Sequence, residues 1–255
     1  MAFNRMGGGA VSVETVMKQA NATPGGAVTG VVNIVGGTKA RKIESVNVAL
    51  AARIEIEGRD REFATILPFL HQRIWGSFDL PPGARHGLEF TIQLPWEAPI
   101  TVAGNAQLHG MFVGVQTEVE IARATDKGDL DQIFIHPLPA QDQILAALAH
   151  LGFGFKGADL ERGTIRGSTM PFYQEIEYYA SPEYRRFMNE LEVTFLSGPT
   201  SMDVVLEADN RGGLFVAGGD TYARFRVDYA TAASIDWQAH LRSQLAAMAA
   251  KRGWH

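Results

Sequence analysis

The stretch Val46-Asn-Val-Ala-Leu-Ala-Ala-Arg-Ile-Glu-Ile-Glu57 decides the fold class. Val46, Val48, Leu50, Ala52, Ile54 and Ile56 fall on one side of an extended chain. Asn47, Ala49, Ala51, Arg53, Glu55 and Glu57 fall on the other. Successive side chains of a strand point to opposite faces, so this alternation specifies a strand buried on one face. The same period recurs in Val115, Thr117, Val119 and Ile121 against Gln116, Glu118 and Glu120. It recurs again in Leu191, Val193 and Phe195 against Glu190, Glu192 and Thr194.

On either side of these runs lie shorter strand candidates: Val11 to Lys18, Val28 to Val35, Phe63 to Phe78, Leu88 to Leu94 and Gln132 to His136. Later ones are Ala158 to Arg162, Phe172 to Tyr179, Met202 to Ala208 and Tyr222 to Tyr229. Turn residues punctuate them: Thr23-Pro24-Gly25-Gly26, Gly36-Gly37, Gly58, Pro81-Pro82-Gly83 and Gly212-Gly213. Many short strands with Gly/Pro punctuation specify antiparallel sandwiches.

Two segments follow a helical period instead. Between Pro139 and Leu151 the apolar residues Ile144, Leu145, Leu148 and Leu151 recur at helix spacing, with Pro139 in the first turn and Gly152 as a stop. Near the C-terminus, Ser234 stands as a cap before a stripe of Trp237, Leu241, Leu245 and Met248, and Lys251, Arg252 and Gly253 close the segment. Such a stripe must be covered, either by its own domain or by a partner, and its four residues are the candidate partner-binding set. The polar run Asp126 to Asp131, followed by Pro137 and Pro139, marks a boundary. The expected units are an N-terminal β-sandwich over 1–136, a second sandwich with a short leading helix over 137–230, and an amphipathic helix over 231–255.

Composition narrows the chemistry. The chain has 255 residues, 46% hydrophobic and 20% charged, with a formal net charge of -5 and no cysteine. Disulfides, thiolate zinc sites and a cysteine nucleophile are excluded. Acidic and basic residues are mixed and no Lys/Arg run suits nucleic acid. No apolar run is long enough to span a bilayer, and Met1 to Ala10 lacks the apolar region of a secretory signal, so a cytoplasmic location is expected. A peripheral anchor through Met1, Phe3 and Met6 has only Arg5 to support it.

Motifs with chemistry are few. Gly152-Phe-Gly-Phe-Lys-Gly157 has the letters of a dinucleotide loop, but a helix precedes it and a strand follows, the reverse of what phosphate binding needs. Asp126, Asp129 and Asp131 lack calcium-loop spacing, and Glu207, Asp209 and Asn210 suit a strand end entering a turn. The seven histidines (71, 86, 109, 136, 150, 240 and 255) form no i, i+4 pair and no metalloprotease frame. Ser168 lies in no nucleophile elbow. Glu175/Glu177 and Glu118/Glu120 share strand faces, which read as solvated, although a glycosidase-like pair has this spacing. Tyr178, Tyr179 and Tyr184 with Arg185 and Arg186 read as packing residues that a recognition patch would also use. No catalytic, metal or cofactor-binding residue is assigned, and no cofactor is expected.

The segment Phe90-Thr-Ile-Gln-Leu-Pro-Trp-Glu-Ala-Pro-Ile-Thr101 resembles the motif closing an N-terminal arrestin-like sandwich. Val115 to Ile121, Asp126, Ile135-His-Pro-Leu138, Ile144 to Gly152, Pro171 to Tyr178 and Leu191 to Phe195 follow in the order of the bacterial sporulation-control family of the stage-zero M type. The resemblance covers Val11 to Ala208. The Gly-rich start (Gly7 to Gly9) and the Ala-rich C-terminal helix depart from the pattern. It implies two arrestin-like, immunoglobulin-like sandwiches in a bacterial, non-enzymatic regulator or scaffold. Such a protein binds protein partners, a second copy of the chain among them, in developmental, stress or cell-division control. The alternative is a ligand-binding, carbohydrate-binding or hydrolytic sandwich with a site assembled from loops.

Overall fold

The computed structural model describes residues 9–57, 62–209 and 221–251. The turns expected at Gly58 and Gly212-Gly213, residues Met1, Phe3, Arg5, Met6 and Asn210, and the closing Arg252-Gly253 lie outside them.

The chain runs through β1 (Ser12–Gln19), β2 (Asn21–Ala22), β3 (Ala27–Val35), β4 (Arg41–Glu57), β5 (Glu62–Trp75), β6 (Phe78–Leu80) and β7 (Arg85–Gln93). It continues with β8 (Val102–Ala103), β9 (Ala106–Gln107), β10 (Val113–Ile121), β11 (Lys127–Gln132) and β12 (Phe134–Ile135). After helix α1 (Pro139–His150) come β13 (Gly154–Arg162), β14 (Phe172–Tyr179), β15 (Glu190–Ser197), β16 (Ser201–Asp209), β17 (Thr221–Asp228) and helix α2 (Trp237–Lys251).

Strands β1-β3-β7 form one antiparallel sheet. A ten-stranded sheet has the order β11-β10-β4-β13-β14-β15-β16-β17, with β5 and β6 also pairing β4. Val28, Val32 and Ile34 of β3 and Leu88, Phe90 and Ile92 of β7 share a core with Val46, Val48, Leu50 and Ile54 of β4, as the alternation predicts. Its other face departs from the expectation at Ala49 and Ala51, which are also buried. The expected polar boundary Asp126 to Asp131 is mostly strand: β11 pairs with β10 at the sheet's edge, where Asp129 Oδ2 accepts the Thr15 amide (2.9 Å). A polar sequence suits an edge strand as well as a linker.

One seam joins the two halves of the ten-stranded sheet. There β4 and β13 run parallel and pair through a single bridge, Glu161 to Glu55. The segment 90–101 reinforces it. Ile100 donates its amide to Gln174 Oε1 (3.0 Å) and its carbonyl accepts Gln174 Nε2 (2.7 Å), so β14 is held to the first half. Buried Thr101 clasps Ile135, accepting that residue's amide on Oγ1 (2.8 Å) and donating its own amide to the Ile135 carbonyl (2.8 Å). Trp96 lies over the 23–26 turn, where Gly25 has φ +73 and a Cβ would meet the indole at 2.6 Å. Only glycine meets both demands.

Helix α1 starts at Pro139 after the N-cap Leu138, whose amide is accepted by Gln141 Oε1 (2.7 Å), and ends before Gly152 at φ +83. Gln141 also reaches Ser197 of β15. Helix α2 starts later than expected. Ser234 Oγ donates to the Thr231 carbonyl inside a short 3-10 turn, and Asp236 caps the helix by accepting the Ala239 amide (3.0 Å). Trp237 is 7% exposed, and Leu241, Leu245 and Met248 are 0% exposed, within the chain's own core. Trp237 Nε1 donates to Gln143 Oε1 of α1 (3.1 Å), and His240 packs on Phe225 of β17. As placed, the stripe is covered by α1 and β17, so a partner reaches it only if α2 leaves.

Leu241→Ala is therefore expected to cost about 2–5 kcal/mol in urea unfolding monitored by circular dichroism, as for other buried leucines. A loss within experimental error would show that α2 is not part of the cooperative core.

Candidate functional site: an acidic pocket on the seam

Strands β13 to β15 expose one face to the core and turn the other to a pocket. In β14, Phe172, Ile176 and Tyr178 are core residues, while Glu175, Glu177 and Tyr179 line the pocket. Across the ladder Asp159 stands opposite Glu175, Glu177 opposite Glu192, and Glu192 opposite Glu207. Directly opposed side chains share a face, so the strands stack acid upon acid. The pocket has a volume of about 630 Å³, and among the described residues it is lined by seven carboxylates together with the basic Arg53, His109 and Lys156.

The local backbone puts Lys156 there. The β13–β14 register shifts between Phe155 and Gly157, a bulge that leaves Lys156 without a cross-strand partner and re-aims it. Its Nζ donates to Glu177 Oε1 (3.1 Å) and Glu190 Oε2 (2.6 Å). Burial works against the ammonium charge, but the hydrogen bonds it donates to Glu190 and Glu177 outweigh it and hold Lys156 protonated. The loop before β10 closes the wall. The His109 carbonyl accepts the Ala158 amide (3.1 Å), and Gly110, at φ +94, lies so close that a Cβ would strike the Ala158 carbonyl.

Glu55, Asp159 and Glu161 bring carboxylate oxygens within 4.8 Å of one another, on the two strands of the seam. Asp159 Oδ1 is buried with no hydrogen-bond partner. Glu175 is only 8% exposed. Burial, then the charges of Glu177, Glu161 and Glu55, push Asp159 up to about 7. Burial, then Glu192, Asp159, Glu161 and Glu207, raise Glu175 far above the carboxylate range. Buried like charges cannot all ionise together.

The face carrying Glu175 and Glu177, read from sequence as solvated, is thus a correction: Glu175 is buried and both line the pocket. Alternation showed that these residues share a face, but a single strand does not reveal that four neighbouring strands place acids there. Glu118, by contrast, is exposed on β10 and Glu120 half-buried. Asp126, Asp129 and Asp131 do not join the pocket; Asp131 is pushed up to about 6 by burial, Asp129 and Glu14. The tyrosines disperse: Tyr178 and Tyr184 are buried, Tyr184 stacks on Phe153, and Tyr179 stands exposed at the pocket. His136 bonds Asn21 (2.9 Å) in the linker, and only His109 of the described histidines reaches the pocket. The Gly152–Gly157 segment runs from helix into strand, as read. At the far edge of the sheet, no described strand pairs with the outer side of β17, whose Tyr222 is 65% exposed.

An open pair of sheets over one core, with a clasped crossover and a short helix between halves, defines the arrestin-like class. The comparisons agree. The family model Spo0M, described as SpoOM protein, matches residues 2–212, and the chain belongs to this family. It is 35% identical over 207 residues to the sporulation-control protein spo0M of Bacillus subtilis (strain 168), covering 80% of this chain and 77% of the relative. The crystal structure of Spo0M, sporulation control protein, from Bacillus subtilis is similar with a TM-score of 0.83 and 30% identity, over 94% of this chain and 99% of that one. Among the described residues no helix is long and apolar enough to cross a membrane.

Raised carboxylate pKa values fix the sign of the pH response. The folded chain holds these protons more tightly than the unfolded chain, so their contribution to stability falls as pH rises from 3.8 through about 7. Glu175→Gln removes one of the crowded charges. In ion-free buffer it is expected to match wild type near pH 4 and exceed it at pH 8 by on the order of 1 kcal/mol. Thermal melts across pH test this; a variant less stable than wild type at pH 8 contradicts it.

Proposed function

We propose that the chain is a non-enzymatic regulator or scaffold, working in the cytoplasm by binding partner proteins. In this reading 1–136 and 137–230 are two sandwich units fused along the β4–β13 seam, and 231–255 closes the second. The sporulation-control name of the Bacillus relative supports a role in developmental control. The observation that carries the binding mode is the outer edge of β17, at the end of a ten-stranded sheet, which no described strand pairs. An unpaired strand edge offers a row of backbone donors and acceptors, which an extended segment of a partner completes. Exposed Tyr222 beside that edge adds an aromatic anchor of the kind enriched in interfaces.

A second reading, glycoside binding or hydrolysis in the acidic pocket, draws on Asp159 and Glu175 with His109 in one cavity. Hydrolysis needs one protonated and one ionised carboxyl, and the shifted groups supply that asymmetry. Among the described lining residues Tyr179 is the one tyrosine, phenylalanine or tryptophan, a thin platform for a sugar face. Aryl-glycoside turnover abolished by Glu175→Gln would put this reading first.

A photo-crosslinking residue at Tyr222 is expected to trap a partner protein in cells of the source organism, whereas the same residue at exposed Glu89 on β7 is not. Crosslinks at Glu89 with none at Tyr222 would move the partner surface elsewhere.

A further inference from the structure

The seam between β4 and β13 is one bridge long, and it is there that three carboxylates converge. Glu55 arrives from β4, and Asp159 and Glu161 from the pocket face of β13. Lys156 is engaged by Glu177 and Glu190. Among the described residues no ion pair reaches Glu55 or Asp159. Two further observations separate this cluster from an ordinary acidic surface. Asp159 Oδ1 is buried without a hydrogen-bond partner, and Glu175, 8% exposed, lines the same pocket with no described hydrogen bond or ion pair to its carboxylate. A folded protein leaves such groups unsatisfied only at a cost, unless a ligand satisfies them.

The geometry points to a site for one divalent cation, calcium by its donor chemistry, held by Glu55, Asp159 and Glu161 and bridging β4 to β13. The converging donors are carboxylate oxygens alone, with no imidazole or thiolate among them, a set that suits hard cations such as calcium. Calcium tolerates irregular carboxylate cages and variable coordination number, whereas magnesium demands a near-ideal octahedron and keeps its water. Glu175 stands directly opposite Asp159 on the neighbouring strand, behind the ligands. The ion would relieve repulsion among the three acids and tie the first half of the sheet to the second where the backbone ladder is shortest. This site is independent of the β17 edge: partner capture can fail there while the cation still binds.

The test is calorimetric titration of chelator-treated full-length protein with calcium chloride, with magnesium chloride and ionic-strength-matched sodium chloride as controls. Thermal melts are run in parallel. Calcium is expected to bind at about one ion per chain and to raise the melting temperature, because it binds the folded state alone. Asp159→Asn is expected to weaken binding by about tenfold or more, and Glu118→Gln, on an exposed position of β10, to leave it unchanged. Half-buried Glu55→Gln on the neighbouring strand gives the same reading should Asp159→Asn fail to fold. Absence of calcium heat and of a melting shift beyond the sodium control overturns the site. So does calcium binding that survives both seam variants, and binding of magnesium but not calcium overturns the assignment of the ion.

Discussion

Like charges facing one another across neighbouring strands are the constraint on which this structure turns. A sheet places the side chains of paired residues about 5 Å apart on one face. When Asp159 meets Glu175, and Glu177 meets Glu192, the repulsion is built into the register and no rotamer escapes it. Among the described residues a bulge turns Lys156 onto Glu177 and Glu190, and burial favours the neutral form of Asp159 and Glu175. The same register makes the pocket, because the core face of these strands is packed and its acids have nowhere else to point. A stable fold that retains so much unfavourable charge in one place is what functional sites look like.

The halves are held together by side chains as much as by backbone. One parallel bridge alone is a weak seam, and Gln174 supplements it by pairing with both backbone groups of Ile100 across the junction, while Thr101 anchors the same segment to Ile135 within the first half. Both contacts saturate buried polar atoms, so losing either partner strands the other. The segment from Phe90 to Thr101 thus does more than end a strand: Phe90 and Ile92 fill the first core, Pro95 ends the ladder, Ile100 clasps the second half, and Thr101 fixes the segment to β12.

What was legible in the sequence was whatever repeats along one strand. The alternations beginning at Val46, Val115 and Leu191 are local, and each lies in a strand with most of the expected residues buried; Ile56 and Phe195 are only half-buried, and Thr194, read on the outer face, is buried. The helix stop at Gly152 and the four-residue stripe of α2 were legible for the same reason. The acidic pocket was not, because its members come from β4, β13, β14 and β15, and only strand order brings them together. Nor was the cap of α2, where Ser234 and Asp236 are both good candidates and a 3-10 turn takes the serine. The run Asp126 to Asp131 misled because an edge strand and a linker share a polar composition.

Native-state hydrogen exchange across the seam tests most directly whether β4 and β13 belong to one cooperative structure. The structure predicts that amides in the last turns of β4's ladder, around Ile54, and those of β13, around Leu160, exchange only through global unfolding, with the same opening free energy. If the β13–β17 amides exchange at a distinctly lower free energy while those of β4 stay protected, the seam is not what holds the molecule together, and the account built on it is wrong.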